Sequence, residues 1–412
     1  MNTGTKLDRS PHQMEPLLVG RRDELASRTL QLATAATRLE GTVQGATRAA
    51  IAGLVREMNC YYSNLIEGAN TLPLDIERAL RDEFAPKKEV RDLQKLALSH
   101  IAAESQLEAE VDRGAMPTSP EVIAWVHGAI YKDLPRELMK LNDGSMLVPG
   151  RPRDIEVKVG NHVAPGAASV PALLDRFHSV YGKLEPSVAS IPEVMAAHHR
   201  LTWIHPFADG NGRVARLITG AMLRKCGANT DSLWSLSRGL ARDATTYKTM
   251  LANADAPRRG DLDGRGNLSL GALVEFCVFM MDRAIDQAEF MTRMLDLPRL
   301  ASRVQNYFRQ ARADVKFEGA HLVNQALAFG EMERGEAARI SGLSERVARD
   351  LVGQLLEEGL LVTDSPRGRL LRAGFPVKAR GYFFPNLYPA GLDGPVDDPE
   401  IRKLARAPRR RI

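Results

Sequence analysis

The chain has 412 residues, 44% hydrophobic and 26% charged, the proportions of an ordinary globular protein with room for two or three cores. A net charge of +5 is too mild to name nucleic acid as a partner, and no apolar run approaches a membrane span, so no membrane partner is expected. Cys60, Cys226 and Cys277 lack metal-ligand spacing and read as buried reduced thiols; with a polar N-terminus free of a signal-peptide core, they predict a cytoplasmic protein.

Residues 1–14 are polar and predicted to be disordered. Residues 15–115 read as successive helices rich in Ala, Leu, Arg and Glu. Among them Leu54, Met58, Tyr61 and Leu65 form one stripe, with Ser63 and Glu67, four apart, on the opposite face. By spacing alone that is a polar face turned to water. Thr71, Leu72 and Pro73 then break the pattern. A second unit, 116–290, opens at Thr118, Ser119, Pro120 and Glu121, before a helix carrying Val122, Ile123, Val126 and Ile130. Arg153 to Pro165 alternates polar and apolar residues and predicts a short β-hairpin. Ser190 reads as an N-cap, with Pro192 in the first turn of a helix that runs to about Ile204. Pro206 disfavours helical backbone at His205, which should therefore sit at a helix end.

The run from His205 to Arg216 reads as loop then helix. Gly210, Asn211 and Gly212 offer backbone N–H groups that can converge at a helix start, where anions are favoured. Arg213 and Arg216 are neighbours on the first turn, and their forked guanidinium groups suit phosphate. Asp209 is a hard oxygen ligand of the kind magnesium takes beside a polyphosphate. His205 is the one group of the run that titrates near neutrality. Together they make a polyphosphate cradle with a general base at its lip. Downstream, Asp261 to Ser269 starts like a calcium loop but has Arg265 and Ala272 where oxygen ligands are needed, so a Gly-rich turn is expected. A third unit, 300–390, reads helix, helix, turn, helix, strand and strand. A basic tail at 391–412 closes the chain.

His205 to Arg216 is similar, at every defined position, to the signature His-Pro-Phe-x-(Asp/Glu)-Gly-Asn-Gly-Arg-x-x-Arg of the Fic family. The resemblance implies a mainly α protein: a Fic-type helical core with a small β-hairpin flap. It also implies a protein adenylyltransferase that moves AMP from ATP to a Tyr, Thr or Ser hydroxyl of a protein, itself included, and releases pyrophosphate. In that scheme His205 deprotonates the hydroxyl and Asp209 holds Mg2+. The Gly210–Gly212 backbone and Asn211 hold the α- and β-phosphates, and Arg213 and Arg216 take the outer ones. The segment 153–165 resembles the Fic flap, with Val159, Gly160, Asn161 and His162 at a tip that touches nucleotide and clamps the target by strand addition. Tyr247 either borders the adenine or packs in the core. A related kinase branch has Lys where Gly212 stands, so Gly212 favours AMP transfer.

Ser63 to Gly68 resembles the Fic inhibitory motif, in which the Glu, here Glu67, pairs with the second arginine, here Arg216, and blocks the γ-phosphate. The third unit resembles a winged helix-turn-helix domain, with Ser344, Arg346 and Arg349 on the recognition helix and Arg367 to Arg369 as the wing. DNA and a second copy of the chain are the further partners this allows, although Glu345, Asp350, Glu357 and Glu358 weaken the case for DNA. Two other functions stay open: a DNA-binding regulator whose Fic site senses ATP or modifies the chain itself, and removal of AMP at the same site. The third unit is expected to be dispensable, so that a chain ending near Arg293 keeps its fold.

Overall fold

The computed structural model describes residues 10–43, 45–160 and 162–389. The expected tail at 391–412 and the flap residue Asn161 lie outside the described residues. Of the described residues 62% are helical, in agreement with the mainly α expectation. The first region holds α1 (Asp23–Glu40), α2 (Gly45–Ile66), α3 (Pro73–Ala79) and α4 (Lys88–Asp112). The second holds α5 (Pro120–Tyr131), a hairpin of β1 (Lys158–Val159) and β2 (His162–Val163), then α6 (Val170–Tyr181), α7 (Ile191–Ile204), α8 (Asn211–Lys225), α9 (Leu236–Arg242), α10 (Ala244–Ala254) and α11 (Leu270–Met294). The last holds α12 (Leu297–Gln310), α13 (Gly319–Phe329), β3 (Met332–Glu333), α14 (Ala337–Ser341), α15 (Glu345–Glu357), β4 (Leu361–Val362), β5 (Leu370–Ala373) and α16 (Val377–Phe383).

Local rules explain most helix starts. Ser119 caps α5 by accepting the Val122 N–H, with Pro120 following it, and Ser269 caps α11 by accepting the Ala272 N–H. Ser190 departs from expectation: its hydroxyl donates to the Glu185 carbonyl instead of capping α7. α11, lined with Leu273, Phe276, Cys277 and Met280, is the axis on which α1, α7, α9 and α10 pack. All three cysteines are buried free thiols. The calcium-like segment is a turn: Asp263 spends its carboxylate on the Arg259 and Gly271 N–H groups.

Three expectations need correction. Residues 10–14, placed in a disordered terminus, form a 3-10 turn (Pro11–Met14) that buries Met14, and Glu15 next to it pairs with Arg176 at 2.6 Å. The Ser63 end of the polar face of α2 does not meet water, although Glu67 stays exposed; Ser63 and Asn64 are fully buried, and α4, α8 and α9 enclose the helix. The third unit is not a free appendage. Its antiparallel sheet, ordered β3-β5-β4, is followed by a segment that docks on α2. The Tyr62 hydroxyl and Arg238 Nε both donate to the Leu387 carbonyl, and buried Arg380 of α16 pairs with Glu57 of α2 at 2.6 Å.

Removing one partner of a buried pair strands the other charge, which typically costs about 3–5 kcal/mol. Arg380→Gln should therefore lower stability by roughly that amount in denaturant titration, and a chain ending near Arg293 should melt at a lower temperature than the full chain. A loss below about 1 kcal/mol would mean that α16 rests on α2 only superficially.

Candidate active site

The site forms where α7 ends and α8 begins. His205 adopts left-handed backbone, φ 50° and ψ 61°, and ends α7 where the following proline disfavours continued helix. The turn then closes on itself. Buried Asn211 accepts the Phe207 N–H and donates to the Phe207 carbonyl, both at 2.8 Å, so its side chain braces the loop and only its backbone is free to face a ligand. Gly210 has φ +80°, and a Cβ there would lie 2.3 Å from the Tyr131 hydroxyl. No side chain caps α8, whose first N–H groups therefore present a positive end. Asp209 is exposed beside them; one carboxylate oxygen accepts the Gly210 N–H at 2.6 Å. Among the described residues no group of three His, Cys, Asp or Glu could hold a metal by itself. A lone exposed carboxylate fits an ion that shares its remaining ligands with phosphates and water.

The two arginines part company. Arg213 points into the protein, where Nε donates to Asn64 at 2.7 Å and a terminal nitrogen donates to the Tyr131 hydroxyl at 2.9 Å. Arg216 is gripped by the end of α2: it donates to the Ser63 hydroxyl at 3.0 Å, the Ser63 carbonyl at 2.9 Å and the Glu67 carboxylate at 2.7 Å. Ser63 and Glu67 thus converge on one guanidinium, with Glu67 in the turn just past α2. Burial pushes the Glu67 carboxyl up, but Arg216 and then Arg213 outweigh it and hold it below the ordinary value. A Cβ on Gly212 would lie 2.2 Å from Glu67 Oε1, so the glycine is what lets this carboxylate settle over the start of α8.

The His205 imidazole sits in a defined tautomer. Nδ1 faces the Thr202 carbonyl at 3.3 Å and so carries the proton, while Nε2 has no partner among the described residues. Burial, helped by His162, pushes its pKa down to about 4, so the ring is neutral at pH 7. The hairpin pairs Val159 with His162 across a Gly160 turn at φ +58°. His162 reaches back to the core through the Trp203 carbonyl and Asp255, both at 3.0 Å, and Asp255 also meets His199 at 3.2 Å. Val159 and Val163 remain largely exposed.

Tyr247 is a core residue. It is 2% exposed, its hydroxyl bonds His198 Nε2 at 2.7 Å, and it lies beside Arg216. Four residues of the site went unread in the sequence: Arg153, Asn64, Tyr131 and His127. His127 stacks on Phe207 at 3.9 Å, accepts the Gly150 N–H and faces the Asp209 carbonyl, so it braces the loop from behind. Only Asn64, inside the Ser63–Gly68 motif, carried a local hint.

An uncapped helix start, a neutral imidazole with one free nitrogen and a hairpin beside them define a helical site suited to a polyphosphate and a proton transfer. Residues 117–223 match the Fic/DOC family. The chain is similar to a protein adenylyltransferase Fic of Nematostella vectensis, 28% identical over 170 residues, covering 40% of this chain and 37% of that protein. It is also similar to a protein adenylyltransferase Fic of Drosophila grimshawi, 38% identical over 79 residues, or 19% of this chain and 16% of that one. The matched segments therefore span well under half the length of these relatives. Among solved structures, a Fic family protein from Desulfovibrio desulfuricans G20 shares the fold at a TM-score of 0.50 and 18% identity, covering 86% of this chain and 97% of that one.

Proposed function

We propose that the chain is a protein adenylyltransferase held in a self-inhibited state. The observation that carries this reading is the Glu67 carboxylate on Arg216, above Gly212 and at the mouth of α8. A carboxylate there keeps Arg216 occupied and sets negative charge where an outer phosphate would come. The family match and the adenylyltransferase relatives support the transfer of AMP rather than of phosphate.

In this reading the start of α8 binds the polyphosphate of ATP through backbone N–H groups. Asp209 would hold magnesium, which supplies charge neutralisation to the phosphates when bound. A target hydroxyl gives its proton to His205 Nε2 while Nδ1–H stays on the Thr202 carbonyl. The hydroxyl oxygen forms a bond to the α-phosphorus, the bond from that phosphorus to the bridging oxygen breaks, and pyrophosphate leaves. The exposed edge of the hairpin is suited to hold the target segment as an added strand. The element order of residues 319–373 supports a winged helix-turn-helix. Arg369 is paired with Glu333 and Arg372 with Asp364, which leaves less positive charge for DNA and favours a protein partner.

The test is Glu67→Gly. Releasing a charge-assisted pair of roughly 1.5–3 kcal/mol should raise self-labelling from α-labelled ATP at least tenfold. Arg216→Ala should stay inactive with or without that change. Equal labelling by wild type and Glu67→Gly, at matched folding and ATP, would remove the inhibitory role.

A further inference from the structure

We propose that Arg153 is the positioning residue of this site, a single guanidinium that locks the hairpin to the base His205. The proposal rests on the AMP-transfer reading for its kinetic arm only. Arg153 lies ahead of the hairpin, and its side chain is fully buried. Its nearest carboxylate, on exposed Glu156, is 3.9 Å away. Its partners are backbone carbonyls. Nε donates to His205 at 2.7 Å, one terminal nitrogen donates to Ile155 at 3.0 Å, and the other donates to Pro165 and Ile204. Its own backbone N–H goes to the Pro206 carbonyl at 2.8 Å.

The two sets of carbonyls have different origins. Those of Ile204, His205 and Pro206 come from the end of α7, where carbonyls lose their helical partners and the helix dipole is negative. Those of Ile155 and Pro165 come from the two limbs at the base of the hairpin. Arg153 is thus a C-terminal cap for α7 and the clasp of the hairpin at once. His162 ties the hairpin tip to the Trp203 carbonyl, so the hairpin is held to α7 at both ends. The nitrogen that takes the proton and the strand edge that aligns the acceptor move as one piece. A planar fork can satisfy several carbonyls together; a lysine ammonium cannot copy that geometry.

The test uses full-length Glu67→Gly protein with and without Arg153→Lys, and with Arg153→Gln as a second variant. Hydrogen exchange should quicken at least tenfold at the amides of residues 158–160 and 162–164 and of His205 and Phe207, with α11 unchanged. ATP affinity should hold within about twofold, while label transfer at saturating ATP falls about a hundredfold, the cost of a misplacement near 1 Å. The ratio of free AMP to labelled protein should rise, because water replaces a poorly aligned acceptor. Unchanged exchange in both variants overturns the proposal, as does a loss of ATP affinity that parallels the loss of transfer. If the Glu67→Gly protein labels nothing at all, the AMP-transfer reading fails, and the exchange data alone decide whether Arg153 is the clasp.

Discussion

His205→Ala, introduced beside Glu67→Gly, should lower AMP transfer about 10²–10⁴-fold and leave ATP affinity nearly unchanged, because a positioned base is worth that much to a proton-coupled step. The geometry sets both halves of the expectation. The Nδ1 proton is committed to the Thr202 carbonyl, which leaves Nε2 as an acceptor of one proton. In the proposed reading the phosphates, by contrast, are held at the start of α8, by groups that alanine at 205 does not touch. The pH profile adds a second readout. Because burial holds the His205 pKa near 4 and not 6.5, the ring stays neutral and competent as pH falls, and the acid limb it imposes on kcat/KM should lie well below pH 6.5. The measurement is labelling from α-labelled ATP beside equilibrium nucleotide binding. Transfer by His205→Ala within threefold of its parent would exclude the imidazole as base.

What could be read in advance follows from the range of the forces involved. The bend at His205 and the loop at Gly210 are local: a proline disfavours helical backbone at the residue before it, and a glycine admits left-handed backbone, wherever they stand. The hairpin at 158–163 was legible because alternation is a property of neighbouring residues. Glu67 and Arg216, far apart in the chain, could be paired only through a family resemblance; the polar spacing of Ser63 and Glu67 suggested water. Arg153 was invisible for another reason. Its partners are carbonyls, which every residue has, so no side-chain pattern marks it. Tyr131 and His127 brace the loop from α5, and their places depend on how two helices meet. The docking of residues 376–389 on α2 was missed because a third unit with its own sheet reads as self-sufficient until Arg380 is seen against Glu57. Tyr247 was open between ligand and core because an isolated aromatic suits both, and the structure buries it.

Stability should collapse steeply in mild acid, between about pH 6.5 and 4, and the cause is a set of histidines held neutral inside the fold. Burial pushes His100 and His198 down to about 3 and His127 and His205 down to about 4, and it lowers His199 as well. In the unfolded chain each has its ordinary value near 6.5. Above that pH neither state holds the proton, so stability is flat with respect to these groups. Below it the unfolded chain takes up protons that the native state refuses, and each histidine shifts the unfolding constant roughly tenfold per pH unit until the folded value is reached. Glu104 works the other way. Burial raises it to about 8, so the native state keeps a proton that the unfolded chain releases, and this group adds stability as pH falls from 8 towards 4. Burial also raises Glu40, Glu57, Asp75 and Glu193, and together these carboxyls temper the loss that the five histidines impose. Asp255, which burial raises but His162 and His199 hold at about 2, adds a further loss below pH 4. Thermal or denaturant midpoints at pH 7, 6 and 5 should therefore fall progressively. His100 offers the internal control, since neither of its ring nitrogens has a hydrogen-bond partner among the described residues. His100→Leu should reduce the acid slope by about one proton. A midpoint constant from pH 7 to 5, or a slope untouched by His100→Leu, would mean that these rings are charged or solvated in the native state.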